Sequence, residues 1–295
     1  ACAAQVSLVH DGPMQTTFRI RTAMHVPEAF DPATRRRSQR RVEMIVDTCL
    51  TLRAQARHLE LDITVHNTAQ DHRLRALFPS GAAGATTCWS DTPFDVVQRP
   101  IGLRPGYEAY RELEVETRPQ QSWTAVCDGQ AGLAVIADGL YEAAVMDLPD
   151  RPIALTLFRA TGRTVFTDGE PGGQLQGPLR FRCWLTPLTG SVPAVELCRL
   201  GQRISAGLRA VAVDGASADA DRNITLPATM SFLRVRGDAV LSSCRFFEDA
   251  IRLRLYNPTS SEATAQIESP LLPGKEAPVA VHLRPRQILS TTLGG

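Results

Sequence analysis

The residues of this chain best suited to chemistry lie in one short stretch, HNTAQDHRLRALFPSG (66–81), which gathers Asn67, Asp71, His72, Arg73 and Arg75. An arginine fork meets carboxylates and sugar hydroxyls in fixed geometry. A histidine beside a carboxylate is the usual pairing for general acid–base work. Read as a strand, HRLRALF sends His72, Leu74, Ala76 and Phe78 to one side and Arg73, Arg75 and Leu77 to the other. His72 then shares the apolar face, while the two arginines form a basic pair on the opposite one. Asn67 and Asp71 flank a turn, where such side chains bond to local backbone. Pattern alone describes a hairpin with a packed histidine and solvated arginines.

Other candidate chemistries fit less well. His58, Asp62 and His66 share one strand face, but four residues of strand span roughly 13 Å, and a zinc ion needs its ligands within about 2.3 Å. The isolated chain is therefore expected to carry no metal. Asp91 and Asp95 stand four apart in SDTPFDVVQRPI. Extended, they too are roughly 13 Å apart, whereas glycosidases need about 5 to 5.5 Å for retention or about 6.5 to 9.5 Å for inversion. A turn at Pro93 would close that gap, although turn-forming roles suit both residues better. No G-x-S-x-G elbow is present. DGEPGGQLQGP (168–178) lacks the lysine and following helix of a phosphate cradle. RRRSQRR (35–41) reads as a solvated loop rather than a nucleic-acid patch. Trp89, Trp123 and Trp184 suit sugar stacking, yet tryptophans in sheet proteins are more often core.

The elements that must position these residues have period two. In HLELDITVHN, Leu59, Leu61, Ile63 and Val65 alternate with Glu60, Asp62, Thr64 and His66, the pattern of a half-buried antiparallel strand. RVEMIVD, AIRLRLYN and APVAVHL alternate likewise, between Gly, Pro, Asn and Asp punctuation. One stretch differs: Leu197, Leu200, Ile204, Leu208 and Val211 follow helical steps, with Gly207 placed to shorten the helix. The polar run after it predicts a large β domain over 1–213, a linker over 214–223 and a small β-sandwich over 224–295.

The 295 residues are 43% hydrophobic and 21% charged, with 32 basic against 31 acidic residues. That is an ordinary globular composition, with no global field for nucleic acid or an anionic membrane. Lys275 is the sole lysine, which we read as the coding bias of a GC-rich bacterial genome. Seven cysteines without a C-x-x-C pair predict reduced thiols and a cytoplasmic location. No apolar run of about 18 residues is present. The abrupt, strand-like start predicts a piece of a longer polypeptide.

Taken in order, LELDITVHNTAQDHRLRALFPSG, FDVVQRPI, GLAVIADGLYEAAV and IALTLFRATG resemble the C-terminal β region of family 38 glycoside hydrolases, the bacterial α-mannosidases and mannosylglycerate hydrolases in particular. VLSSCRFFEDAIRLRLYNPTSSEATAQI and HLRPRQILSTTL resemble the last small sandwich of that family. The resemblance implies an all-β chain: a large galactose-mutarotase-like supersandwich, then a small β-sandwich, with at most one or two short helices. It places zinc, its ligands and the catalytic nucleophile in an N-terminal domain outside this sequence, so no cofactor is expected here. The implied partners are that catalytic domain and a mannose-containing carbohydrate, with neither nucleic acid nor membrane. On this view Asn67, Asp71, His72, Arg73 and Arg75 form the face that meets substrate or catalytic domain. Two alternatives stay open: an autonomous carbohydrate-binding module, and a mutarotase-type enzyme using His66 or His72 with Asp71.

Overall fold

A computed structural model of the protein describes residues 2–163, 171–211, 229–247, 250–270 and 278–293. The chain divides into two compact units, one of Ala1–Thr92 with Val97–Pro193 and one of Pro93–Val96 with Ala194–Gly295. Both are built from strands, with one α-helix among the described residues. No helix there is long and apolar enough to cross a membrane.

The first unit is built on two facing sheets, one of nine strands and one of four, with a two-stranded ribbon of Phe30–Asp31 and Arg36–Arg37 beside them. The alternation in HLELDITVHN becomes the strand Leu59–Asn67, which buries Leu61, Ile63 and Val65. These residues share one core with Ile153, Leu155 and Leu157 of the strand Ile153–Ala160 in the smaller sheet. The small sheet ends at the strand His72–Phe78, which pairs antiparallel with Ile153–Ala160. Leu74, Ala76 and Phe78 pack on the core while Leu77 is exposed, as alternation requires.

One irregularity in that pairing changes a face. The register slips between Thr156 and Phe158, so that Thr156 opposes Arg75 and Arg159 opposes Arg73. A bulge re-aims the side chains that follow it. Strict alternation from Thr156 would turn Phe158 outward and Arg159 inward. With Leu157 as the extra residue, both Leu157 and Phe158 are buried and Arg159 is exposed.

The second unit has two three-stranded sheets around a core that includes Leu253, Leu255, Ala265, Ile267 and Leu283. Its helix, Ala194–Ala206, corrects the expected boundary at 213. Arg199 donates to the carbonyls of Gly237 and Ala239, and Gln202 to that of Leu241. The helix belongs to the small unit, and the expected linker (214–223) lies outside the described residues. Gly207 ends the helix in the left-handed region at φ 62°, its N–H bonded to the Arg203 carbonyl. Leu208 and Val211, expected on the apolar stripe, are consequently exposed.

Leu155→Ala should destabilise the large unit by about 2–5 kcal/mol, the cost of a cavity in a closed core. Leu208→Ala, beyond the helix end, should change stability by less than about 0.5 kcal/mol. Urea titrations followed by tryptophan fluorescence and circular dichroism would check both values.

Candidate functional site

The turn before His72–Phe78 is held by a buried hydrogen-bond clamp. Asn67, 2% exposed, gives its side-chain amide to the carbonyls of Gln174 and Leu175 at 3.0 and 2.9 Å. Its own oxygen accepts the Ala69 N–H at 3.3 Å. Asp71 lies in the left-handed region at φ 51°, a conformation that aspartate tolerates better than most residues. The Gln174 side chain holds it there, accepting the Asp71 N–H at 2.8 Å and donating to the Asp71 carboxylate at 2.7 Å. Arg37 donates to the Asp71 carbonyl at 2.6 Å and rests over the Phe30 ring.

The Asp71 and Arg37 end of this clamp lines a cleft of about 440 Å³, together with Phe30, His72, Arg73, Arg159 and Arg163 among others. That volume falls within the usual range for small-molecule pockets. Four of the named lining residues are arginines and one is an acid, so the cleft carries positive charge suited to anionic or polyhydroxylated ligands.

Around its mouth, Arg73 and Arg159 converge on Glu142. Arg159 bonds the Glu142 carboxylate at 2.8 Å, Thr156 donates to it at 2.6 Å, and Arg73 lies 3.8 Å from it. Burial works to raise Glu142, but the bonds from Thr156 and Arg159 and the charges of Arg159 and Arg73 outweigh it and hold the carboxyl below its ordinary range. Burial first, then the charges of Arg75 and Arg159, pulls Arg73 below its ordinary value against the opposing charge of Glu142. Arginine nevertheless stays protonated.

His72 has two surroundings. Its ring packs edge-on against Phe158 at 5.2 Å, and Phe158 in turn stacks on Phe181 at 6.0 Å. It also lines the cleft. Neither ring nitrogen has a partner with hydrogen-bond geometry. Burial, assisted by the Arg37 charge, pushes its pKa down, and the Gln70 backbone and Asp71 carboxylate only partly oppose this. The neutral form of His72 is therefore favoured over the charged one.

The structure thus brings Asp71, His72 and Arg73 together at one cleft. Arg75 lies on the outer face beside them, opposite Thr156, without lining it. Asn67 is spent on backbone carbonyls and acts by positioning the turn. Sequence reasoning missed Arg37, Glu142, Arg159 and Gln174. The run RRRSQRR was a visible signal for Arg37, but no local pattern marks the other three.

The remaining candidates have structural partners. Asp91 is buried and accepts the N–H groups of Gln121, Ser122 and Trp123 at 3.0, 2.7 and 2.8 Å. Burial raises its pKa despite those bonds and the one from the Ser122 hydroxyl. Asp95 belongs to the second unit, where Arg286 pairs with it. Asp62 pairs with Arg180, and among the described residues no three His, Cys, Asp or Glu gather as a metal site. Trp123 and Trp184 are buried and Trp89 half-buried.

Residues 4–164 match the model of the glycosyl hydrolases family 38 C-terminal domain. The chain belongs to that family. A putative mannosylglycerate hydrolase from Halalkalibacterium halodurans is 27% identical over an alignment of 176 positions that covers 55% of this chain and 19% of that protein. An α-mannosidase from Enterococcus faecalis V583 superposes with a TM-score of 0.83 at 22% identity, covering 99% of this chain and 35% of the other. A second family 38 protein from Enterococcus faecalis gives a TM-score of 0.79 at 22% identity, covering 99% and 36%. At such identity the two solved structures establish the fold, and this family 38 chain spans little more than a third of their length.

With a lowered folded pKa, His72 takes up protons more readily unfolded than folded, so stability should fall as pH drops below about 6.5. His72→Phe should flatten that limb of a stability–pH curve, measured by urea titration between pH 7.5 and 5. Asn67→Ala should cost about 1–3 kcal/mol, because it removes both donors from a clamp whose bond to the Gln174 carbonyl is buried.

Proposed function

We propose that this chain is the non-catalytic C-terminal β region of a retaining α-mannosidase-type glycoside hydrolase, whose arginine-lined cleft helps to complete the sugar site of a zinc-dependent N-terminal catalytic domain. The observation that carries the reading is the cleft itself: a family 38 domain that sets Arg37, Arg73, Arg159 and Arg163 with Asp71 and His72 around one pocket. On this reading zinc belongs to the catalytic domain, and the present residues bind and orient.

In that role Arg73 is the group that touches ligand. It lines the cleft, and only its Nη1 is engaged, donating to the Thr117 hydroxyl at 3.4 Å and lying 3.8 Å from Glu142, so the other N–H groups of the fork remain for a hydroxyl or carboxylate. Arg159, already bonded to Glu142, positions that carboxylate. His72, its ring nitrogens buried and its ring packed on Phe158, shapes the cleft wall without adding a donor for ligand. The excess of arginine over acid favours substrates with a carboxylate on the leaving side, the class named in the Halalkalibacterium halodurans relative. An autonomous sugar-binding module is the weaker reading, because two of the three tryptophans suited to stacking are buried. A mutarotase-type site is weaker still, because Asp71 is committed to Gln174 and His72 to Phe158.

The test is hydrolysis of a chromogenic α-mannoside by this chain and by the longest product of its gene. Activity should appear in the longer protein alone. There Arg73→Ala should lower kcat/KM by roughly 10-fold to 100-fold, the worth of a charge-assisted hydrogen bond, with Arg73→Lys intermediate. Turnover by the purified 295-residue chain, or none by either protein, would sink the proposal.

A further inference from the structure

The nine-stranded sheet has a side that belongs to the core, and that side continues past the four-stranded sheet into water. Three strands, Ala3–Asp11, Gln15–Pro27 and Arg41–Arg53, form this extension, with Ala3–Asp11 at the edge. The registers give rows that cross the strands at constant face. One row runs Leu61–Leu50–Phe18–Leu8, and the next Ile63–Thr48–Ile20–Val6. Leu61 and Ile63 are core residues at 5% and 3% exposed, Leu50 and Ile20 are half-buried, and Phe18, Leu8 and Val6 are 44%, 55% and 65% exposed. The apolar pattern of the core therefore outlasts its cover by two to three strands.

The reverse face of the same strands is finished for water. Arg19 and Arg21 pair with Asp47 there, with Ser7 and Gln5 opposite them in register. An antiparallel ribbon meant to be wet on both faces would not keep one side apolar. Every residue of Ala3–Asp11 is exposed, and a long apolar edge strand left open is a template for unwanted pairing.

We infer that the face carrying Val6, Leu8, Phe18 and Ile20 is a docking surface for the part of the polypeptide that lies outside this chain in its family 38 relatives. The inference rests on the proposed function, in which this β region is joined to a catalytic domain. Two observations select that occupant. This chain covers only 35% of the matched Enterococcus faecalis V583 structure, so such a protein holds ample further polypeptide. The face is also continuous with the hydrophobic core, so a covering segment extends that core rather than forming a separate interface. The occupant is apolar and meets the sheet face-on.

Hydrogen exchange followed by mass spectrometry tests this on the 295-residue chain and on the longest product of its gene. The amides of residues 4–9 and 16–22 should exchange at least about 10-fold more slowly in the longer protein. The pair Leu8→Ser and Phe18→Ser should leave the unfolding midpoint of the 295-residue chain unchanged but remove that protection. Equal exchange in both proteins would overturn the inference, as would a gene product that ends at residue 1. Protection that rises with concentration of the 295-residue chain, with dimers in sedimentation, would assign the face to a second copy and overturn it as well. A longer protein that protects these strands yet cleaves no α-mannoside would sink the proposed substrate and keep the surface. An active one with unprotected strands would do the reverse.

Discussion

One face of the nine-stranded sheet must leave water, because Leu61, Ile63 and Val65 alternate with Glu60, Asp62 and Thr64 along a single strand. A fully buried side chain of this kind is worth about 1.5–3 kcal/mol over an exposed one. The four-stranded sheet supplies the cover through Ile153, Leu155 and Leu157. Everything placed at the cleft follows from that contact. The strand His72–Phe78 can turn arginines outward only because its other side is committed to the core.

The cleft adds a second constraint, the satisfaction of buried polar groups. Asn67 and Gln174 lie 107 positions apart in sequence, yet their hydrogen bonds close the turn that precedes the strand. A buried carbonyl without a donor costs about 1–3 kcal/mol, so the clamp is cooperative: loosening one member strands the others. The same clamp holds Asp71 at positive φ. Strain of that type persists only where surrounding structure over-determines it. The turn is thus a rigid base on which Arg37 and Arg73 are presented.

Charge at the cleft is partly compensated. Glu142 draws Arg159 and Arg73 toward one point, and without it three like charges, counting Arg75, would repel across neighbouring strands. The bulge at Leu157 makes that arrangement possible by moving Arg159 to the outer face. The chain as a whole carries a net charge of +1, while the cleft sets four arginines against one acid.

Much of this was legible in the sequence. The period-two alternation determined the all-β class, the strand His72–Phe78 and the division of its faces, because burial of one side is a local property of every second residue. Asp71, His72 and Arg73 could be named as neighbours because they are consecutive. Gly207 marked the helix end by its backbone freedom alone. Only the tertiary structure decided the rest. Gln174 and Glu142 brace the cleft residues Asp71 and Arg159 through pairings 103 and 17 residues apart, and no local pattern encodes such contacts. The bulge at Leu157 reverses a face that strict alternation would have assigned wrongly. The helix went to the small unit because Arg199 and Gln202 found carbonyl acceptors there. Local periodicity specifies what each residue must bury; which distant partner meets it depends on how the sheets close.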